Sequence, residues 1–324
     1  MITMKKRTES YVPQGVIPAA LTIFRDDYSI DWKATRRHFR FLAATPGVSA
    51  ITFNGHAAEV HALTVAEQQR LLELAVDTVA GQVRVVAGIY ADGSQQAARL
   101  AALAARTGAE ALLVVPSHTL MLGGQLRPEM AVAHHRCIAD ATDLPLIMFQ
   151  YPVATGLGMP WETLLRLARE VPTIRAMKDW CHDPLLHEKF TRGLQGLPRP
   201  VNMLTTHSSW LMASLVMGAR GLLSGAGSVI ADMQVALFEA VQANDLARAR
   251  AVNDAMFPIA QALYAPPFVD MHNRMKECLA LLGRIEKAVV RPPLMKLPAR
   301  EIAGLRRALR AARVTRDGWM PAER

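Results

Sequence analysis

Eight short apolar runs recur along the chain, and no other feature restricts its fold as much. They are GVIPAALTIF (15–24), VSAITFNG (48–55), VRVVAGIY (83–90), AEALLVVP (109–116), LPLIMFQYP (144–152), TIRAMKDW (173–180), VNMLTT (201–206) and GARGLLSG (218–225). A strand with one wet face alternates apolar and polar residues. These runs are nearly continuous, which implies a sheet covered on both faces and therefore parallel. Between them lie segments with helical spacing. TVAEQQRLLELAVDTVA (64–80) opens on Thr64 with Glu67 three residues on, the pattern of a capping box. SQQAARLAALAARTG (94–108) runs from a Ser cap to a Gly stop, and MPWETLLRLAREVP (159–172) carries Pro160 just inside a helix. Eight such alternations over about 230 residues fit an α/β fold of the (β/α)8 TIM-barrel type better than an open sheet. No GxGxxG follows the first run, which weighs against a dinucleotide-binding fold.

The strand texture stops near residue 245. NDLARARAVNDAMFPIAQALYA, VDMHNRMKECLALLG and a basic segment at 298–313 then read as helices of a small appended bundle. The expected division is an N-terminal extension (1–14), the barrel (15–244) and a C-terminal α-helical domain (245–324).

Composition narrows the class. Hydrophobic residues make up 51% and charged residues 20%, as in a soluble globular chain with a large core. No apolar run approaches the ~18 residues that span a bilayer, so no membrane partner is expected. MITMKKRTES has positive charge without the apolar stretch of a secretory signal. Cys137, Cys181 and Cys278 are odd in number and widely spaced, which points to a reducing cytoplasm and away from a thiolate zinc cage. The net charge of +9 permits nucleic-acid binding, but its excess lies mostly late in the chain. Arg306, Arg307, Arg310 and Arg313 flank an apolar stripe of Ile302, Leu305, Leu309 and Ala312, the pattern of a surface helix. Aromatic residues do not interleave with these charges, so no nucleic-acid partner is expected.

Active sites of such barrels lie at the C-terminal ends of the strands. Lys178 stands there, at the end of the sixth run, where a strand that had merely surfaced would leave it solvated. Other strand ends also carry reactive groups, among them His56, Glu59, His118, His182 and His207. A lysine in water titrates near 10.4, and bringing it toward 7 takes roughly 4 kcal/mol of destabilisation of the ammonium. An apolar barrel interior supplies this by desolvation. The free amine then attacks a ketone, and the resulting iminium is an electron sink for the adjacent bond. Asp179, next in sequence, faces the opposite side of the strand.

Six segments, in order, resemble the dihydrodipicolinate synthase / N-acetylneuraminate lyase family of class I aldolases: GVIPAALTIF, GHAAEVHALT, FQYPVATG, IRAMKDW, MGARGLLSGAGSV and VVRPPLMKLP. The resemblance implies a (β/α)8 barrel with a C-terminal helical bundle, assembled as a homotetramer or homodimer. It implies a lysine imine formed on pyruvate or another 2-keto acid, with no metal and no cofactor. Lys178 matches the Schiff-base lysine, and Leu223 and Ser224 match residues that wall the imine.

The departures from the family bear on chemistry. His56 and Ala57 stand where two hydroxyl residues hold the keto acid's carboxylate and relay a proton, and His118 stands near the place of the relay tyrosine. Phe149 replaces the tyrosine of the Tyr-Asn-x-Pro segment, and Ala154 replaces the arginine of the lysine-pathway synthase. The expectation is therefore a lyase, aldolase or dehydratase on a small 2-keto acid, and not a standard dihydrodipicolinate synthase. Lys178 is the nucleophile, His118 and Tyr151 are candidate proton carriers, and His56, Ala57, Phe149, Thr206, Leu223 and Ser224 form the binding pocket. Two alternatives stand beside it. One is a catalytically impaired homologue that only binds a keto acid. The other is a metal-dependent aldolase or hydrolase using His56, Glu59, His118, His182 and His207 as ligands.

Overall fold

The structure is a computed structural model that describes residues 11–321, so most of the expected N-terminal extension lies outside the described residues. Eight parallel strands form one sheet: β1 (Gly15–Pro18), β2 (Ala50–Phe53), β3 (Arg84–Ile89), β4 (Ala111–Val114), β5 (Leu146–Gln150), β6 (Ile174–Asp179), β7 (Asn202–Thr205) and β8 (Gly221–Ser224). β1 pairs with β8, and bridges Val16–Val48 and Ala19–Thr52 bring β2 back to β1, so the sheet closes into a barrel. Nearly every strand residue is buried, as the continuous apolar runs require.

Around the barrel run α1 (Trp32–Ala43), α2 (Val65–Val79), α3 (Ser94–Thr107), α4 (Pro128–Ala139), α5 (Trp161–Glu170), α6 (Pro184–Gln195), α7 (Leu211–Val216) and α8 (Gly227–Gln242). The capping box of α2 is present: Thr64 Oγ1 accepts from Glu67 N–H, and the Glu67 carboxylate accepts from Thr64 N–H. Two helix starts differ by one residue from the sequence expectation. Gly93, not Ser94, occupies the cap of α3, because the Ser94 hydroxyl is bonded to His134 Nδ1 at 3.0 Å. Pro160 is the cap residue of α5 rather than its first helical one.

One irregularity in the sheet sets the chemistry of its mouth. Leu146 pairs with Ile174 but Ile147 pairs with Ala176, so the register steps over Arg175. This bulge shifts the partner strand by one residue, and a one-residue shift exchanges the faces. Phe149 therefore lies opposite Lys178, and Gln150 opposite Asp179.

Three further helices follow: α9 (Leu246–Leu263), α10 (Met271–Leu281) and α11 (Ala299–Ala311). On α11, Leu305, Leu309 and the following Ala312 are buried while Arg306, Arg307 and Arg310 are exposed, the arrangement expected from the stripe. These helices do more than append to the barrel. Tyr264, at the end of α9, and Met271, His272 and Met275 of α10 reach over the strand ends and close the mouth.

A buried ion pair fastens this cover. Glu59, after β2, meets Lys276 of α10, and both side chains are fully buried. Lys276 Nζ also donates to Val289 O at 2.8 Å and sits 4.1 Å over the Phe24 ring. The second Glu59 oxygen accepts from Arg291 N–H at 3.0 Å, and the Arg291 guanidinium grips Glu67 with two hydrogen bonds. Removing one partner of such a pair strands a charge in the interior and costs about 3–5 kcal/mol. Lys276→Met is accordingly expected to lower unfolding free energy by about that amount in guanidinium titrations, with Glu59→Gln added restoring much of it. A single-variant loss below about 1 kcal/mol would contradict the role given to the pair.

Candidate active site

Lys178 occupies the penultimate position of β6, between Phe149 of β5 and Leu204 of β7. It is 6% exposed, and its Nζ lies 4.0 Å from the centroid of the Phe149 ring. Among the described residues Nζ has no carboxylate or hydrogen-bond partner within reach. Burial alone pulls its pKa down to about 7. The amine opens into a small cavity roofed by the α9–α10 cover.

One wall is the turn after β2. Asn54 adopts a left-handed conformation (φ 52°) and donates through Nδ2 to Gln68 O at 2.7 Å. Gly88 of β3 makes room for this turn, since a Cβ there would lie 2.1 Å from Asn54 O. The turn delivers His56 and Ala57 to the cavity. Its Ala58 and Glu59 N–H groups are spent on Gly55 O and His56 O, so they do not face a ligand's carboxylate. The His56 ring stands edge-on to His272, 4.8 Å between centroids. Burial, with the neighbouring Lys178 charge, lowers His56 to about 3 and His272 well below the usual imidazole range, so both are neutral at pH 7. Both His272 ring nitrogens are buried without a hydrogen-bond partner.

Tyr264, which also lines the cavity, belongs to a hydroxyl network behind it. Ser208 and Ser224 hydroxyls are 3.2 Å apart, and Gln234 Nε2 donates to Ser224 Oγ at 3.1 Å. Tyr264 hydrogen-bonds both serines, and its oxygen accepts from Ala226 N–H at 3.0 Å. Burial raises the Tyr264 pKa against these hydrogen bonds, so the phenol holds its proton.

The candidate residues thus divide. Lys178, Phe149, His56, Ala57 and Thr206 share the cavity. Ser224 joins it through Tyr264, while Leu223 is fully buried in β8. Tyr151 packs its ring 4.4 Å from Phe149 and 5.5 Å from Trp180 and does not line the cavity. His118 lies on a more exposed turn, bonded to the Tyr90 hydroxyl at 3.2 Å and away from the cavity wall. The five groups weighed as metal ligands do not converge either, since Glu59 is held by Lys276 and Arg291. Tyr264 and His272 were missed because their segments read only as packing helices. His272 shares α10 with Asn273, Arg274, Lys276 and Glu277, all buried, so nothing in its sequence distinguished it.

Comparison with known proteins agrees in extent with this architecture. The family model described as the dihydrodipicolinate synthetase family matches residues 12–312. An uncharacterized DapA-like lyase of Halobacterium salinarum is 32% identical over 294 residues, covering 90% of this chain and 91% of its own. The 4-hydroxy-tetrahydrodipicolinate synthase of Symbiobacterium thermophilum is 31% identical over 299 residues, 92% of this chain and 98% of its own. Among solved structures, dihydrodipicolinate synthase of Aquifex aeolicus superposes with a TM-score of 0.81 at 26% identity, covering 92% of this chain and 97% of that one. The prophage protein YagE of E. coli K12, solved in complex with pyruvate, shares the fold at a TM-score of 0.85 and 23% identity, over 93% of this chain and 98% of its own.

The burial of Lys178 makes its reactivity pH-dependent in a defined direction. Below pH 7 the amine is protonated and inert, and its reactivity rises through about 7 to a plateau. A solvated lysine would still be gaining reactivity near pH 10. Competitive acetylation with mapping of the Lys178 peptide is expected to give a midpoint near 7, and a midpoint above 9 would contradict the desolvated state.

Proposed function

The chain belongs to the dihydrodipicolinate synthetase family, and on that premise we propose that it is a lyase acting on pyruvate or a 2-keto-3-deoxy acid through an imine on Lys178. The observation that carries the reading is the Lys178 amine itself: buried, without an ionic partner, and titrating near 7 at the C-terminal mouth of the barrel. Such an amine attacks the keto carbon, water leaves, and the iminium acidifies the neighbouring C–H or weakens the neighbouring C–C or C–O bond. The pyruvate bound to YagE supports the substrate class.

Proton transfer falls to groups that face the cavity rather than to His118 or Tyr151. The Tyr264 phenol, with Ser208 and Ser224 behind it, donates and takes back a proton along hydrogen bonds already formed. His56 and His272, neutral and with unspent nitrogens on His272, donate to the keto acid's carboxylate. Phe149 and Ala154 leave the cavity without the phenol and guanidinium expected of the lysine-pathway synthase, so the acceptor in this reading differs from that enzyme's. The reading includes a homotetramer or homodimer and a cytoplasmic location. Among the described residues, no helix is long and apolar enough to cross a membrane.

Exchange of pyruvate methyl protons into deuterated water, followed by NMR, tests both parts. Wild type is expected to exchange them, Lys178→Ala to lose exchange entirely, and Tyr264→Phe to slow it by about 10²-fold or more, the usual worth of a positioned acid–base group. Exchange that survives Lys178→Ala would refute the imine. An imine that forms without any exchange would favour a binding protein over an enzyme.

A further inference from the structure

On the far side of β6 from the cavity, four unlike side chains converge. They are Asp179 of β6, Cys181 in the turn that follows, His187 of α6 and His207 after β7, and none is more than 4% exposed. One donor atom from each lies within 4.8 Å of all the others, the one group of this kind among the described residues. Asp179 Oδ2 is 2.5 Å from His187 Nδ1, 3.2 Å from Cys181 Sγ and 3.6 Å from His207 Nε2. Cys181 Sγ and His207 Nε2 are 4.0 Å apart. A tetrahedral ion with bonds of about 2.0–2.3 Å needs ligand atoms roughly 3.3–3.7 Å from one another. The four atoms stand within about 1 Å of that arrangement, and side-chain rotation covers the difference.

The surroundings favour an ion over a mere hydrogen-bonded cluster. His207 is 2% exposed, its Nδ1 has no partner, and its Nε2 makes only the two long contacts given above. Its Nε2 is aimed at Asp179 and Cys181, and neither contact is short enough for a strong hydrogen bond, so the nitrogen can turn onto an ion between them. The second layer is also in place. Ser214 Oγ lies 2.7 Å from His187 Nε2, and Cys181 N–H donates to the other Asp179 oxygen at 3.0 Å. One thiolate and one carboxylate exactly balance a divalent charge, so no net charge is buried.

We propose that Asp179, Cys181, His187 and His207 form a closed, structural zinc site that ties the ends of β6 and β7 to α6. Binding releases the Cys181 thiol proton to solvent as the metal–sulfur bond forms. The His187 proton leaves Nδ1, which becomes a ligand atom, and is carried on Nε2, where Ser214 Oγ accepts its hydrogen bond. All four positions are protein ligands, and the ion sits behind the strand, so it takes no part in the imine chemistry of Lys178. The mixed nitrogen, oxygen and sulfur set suits Zn²⁺ and discriminates against Mg²⁺ and Ca²⁺.

The test is titration of the chelator-treated full chain with Co²⁺, read by absorbance, followed by displacement with Zn²⁺. The expected result is one equivalent of Co²⁺, with the visible bands of a tetrahedral ion and a near-ultraviolet thiolate charge-transfer band, all abolished by Zn²⁺. Cys181→Ala, checked for folding by circular dichroism, is expected to lose the thiolate band and at least about tenfold in affinity. Wild-type protein that takes up no stoichiometric Co²⁺, or takes it up without a thiolate band, holds a hydrogen-bonded cluster only, and the proposal fails. An unchanged spectrum in Cys181→Ala overturns it equally. The wild-type titration decides by itself if that variant does not fold.

Discussion

Desolvation of one ammonium group organises this protein. At pH 7 only about one solvated lysine in a few thousand is a free amine, whereas burial brings Lys178 down to about 7 and makes its free amine a major species there. The fold maintains that state at a cost of about 4 kcal/mol in stability at acid and neutral pH. The sign follows from proton binding: between the folded value near 7 and the unfolded value near 10.4, the unfolded chain holds the extra proton, so stability rises with pH across that window.

Several otherwise unrelated features serve this one condition. The bulge at Arg175 brings the Phe149 ring, rather than a polar group, against Nζ. The α9–α10 cover removes water from above, and the Glu59–Lys276 pair with the Arg291 clamp holds the cover to the β2–α2 turn that carries His56. Asp179, the nearest carboxylate in sequence, is turned to the other side of β6, where His187 engages it. Had it faced the cavity, it would have stabilised the ammonium and raised the lysine back toward its ordinary value.

The barrel was legible in the sequence because continuous apolar runs leave few architectures open, and so was the place of Lys178 at a strand end facing the cavity. The other polar groups that line the cavity were less legible. Tyr151 lies two residues from Phe149 and the two rings are in contact, but the strand ends at Gln150 and the Tyr151 ring packs on Phe149 and Trp180 without lining the cavity. His118 follows β4, yet the turn it starts leads outward to Tyr90 and Asp92. Tyr264 and His272 lie more than eighty residues beyond Lys178 in helices whose local pattern says only that they pack. What they pack over is decided by a long-range ion pair, which no local pattern encodes.

The most direct measurement is borohydride reduction in the presence of pyruvate, followed by intact mass and peptide mapping. A single pyruvate-derived adduct on Lys178, absent without borohydride, is the predicted result. A panel of 2-keto acids that leaves Lys178 unmodified, or an adduct on another lysine, would contradict the account at its centre.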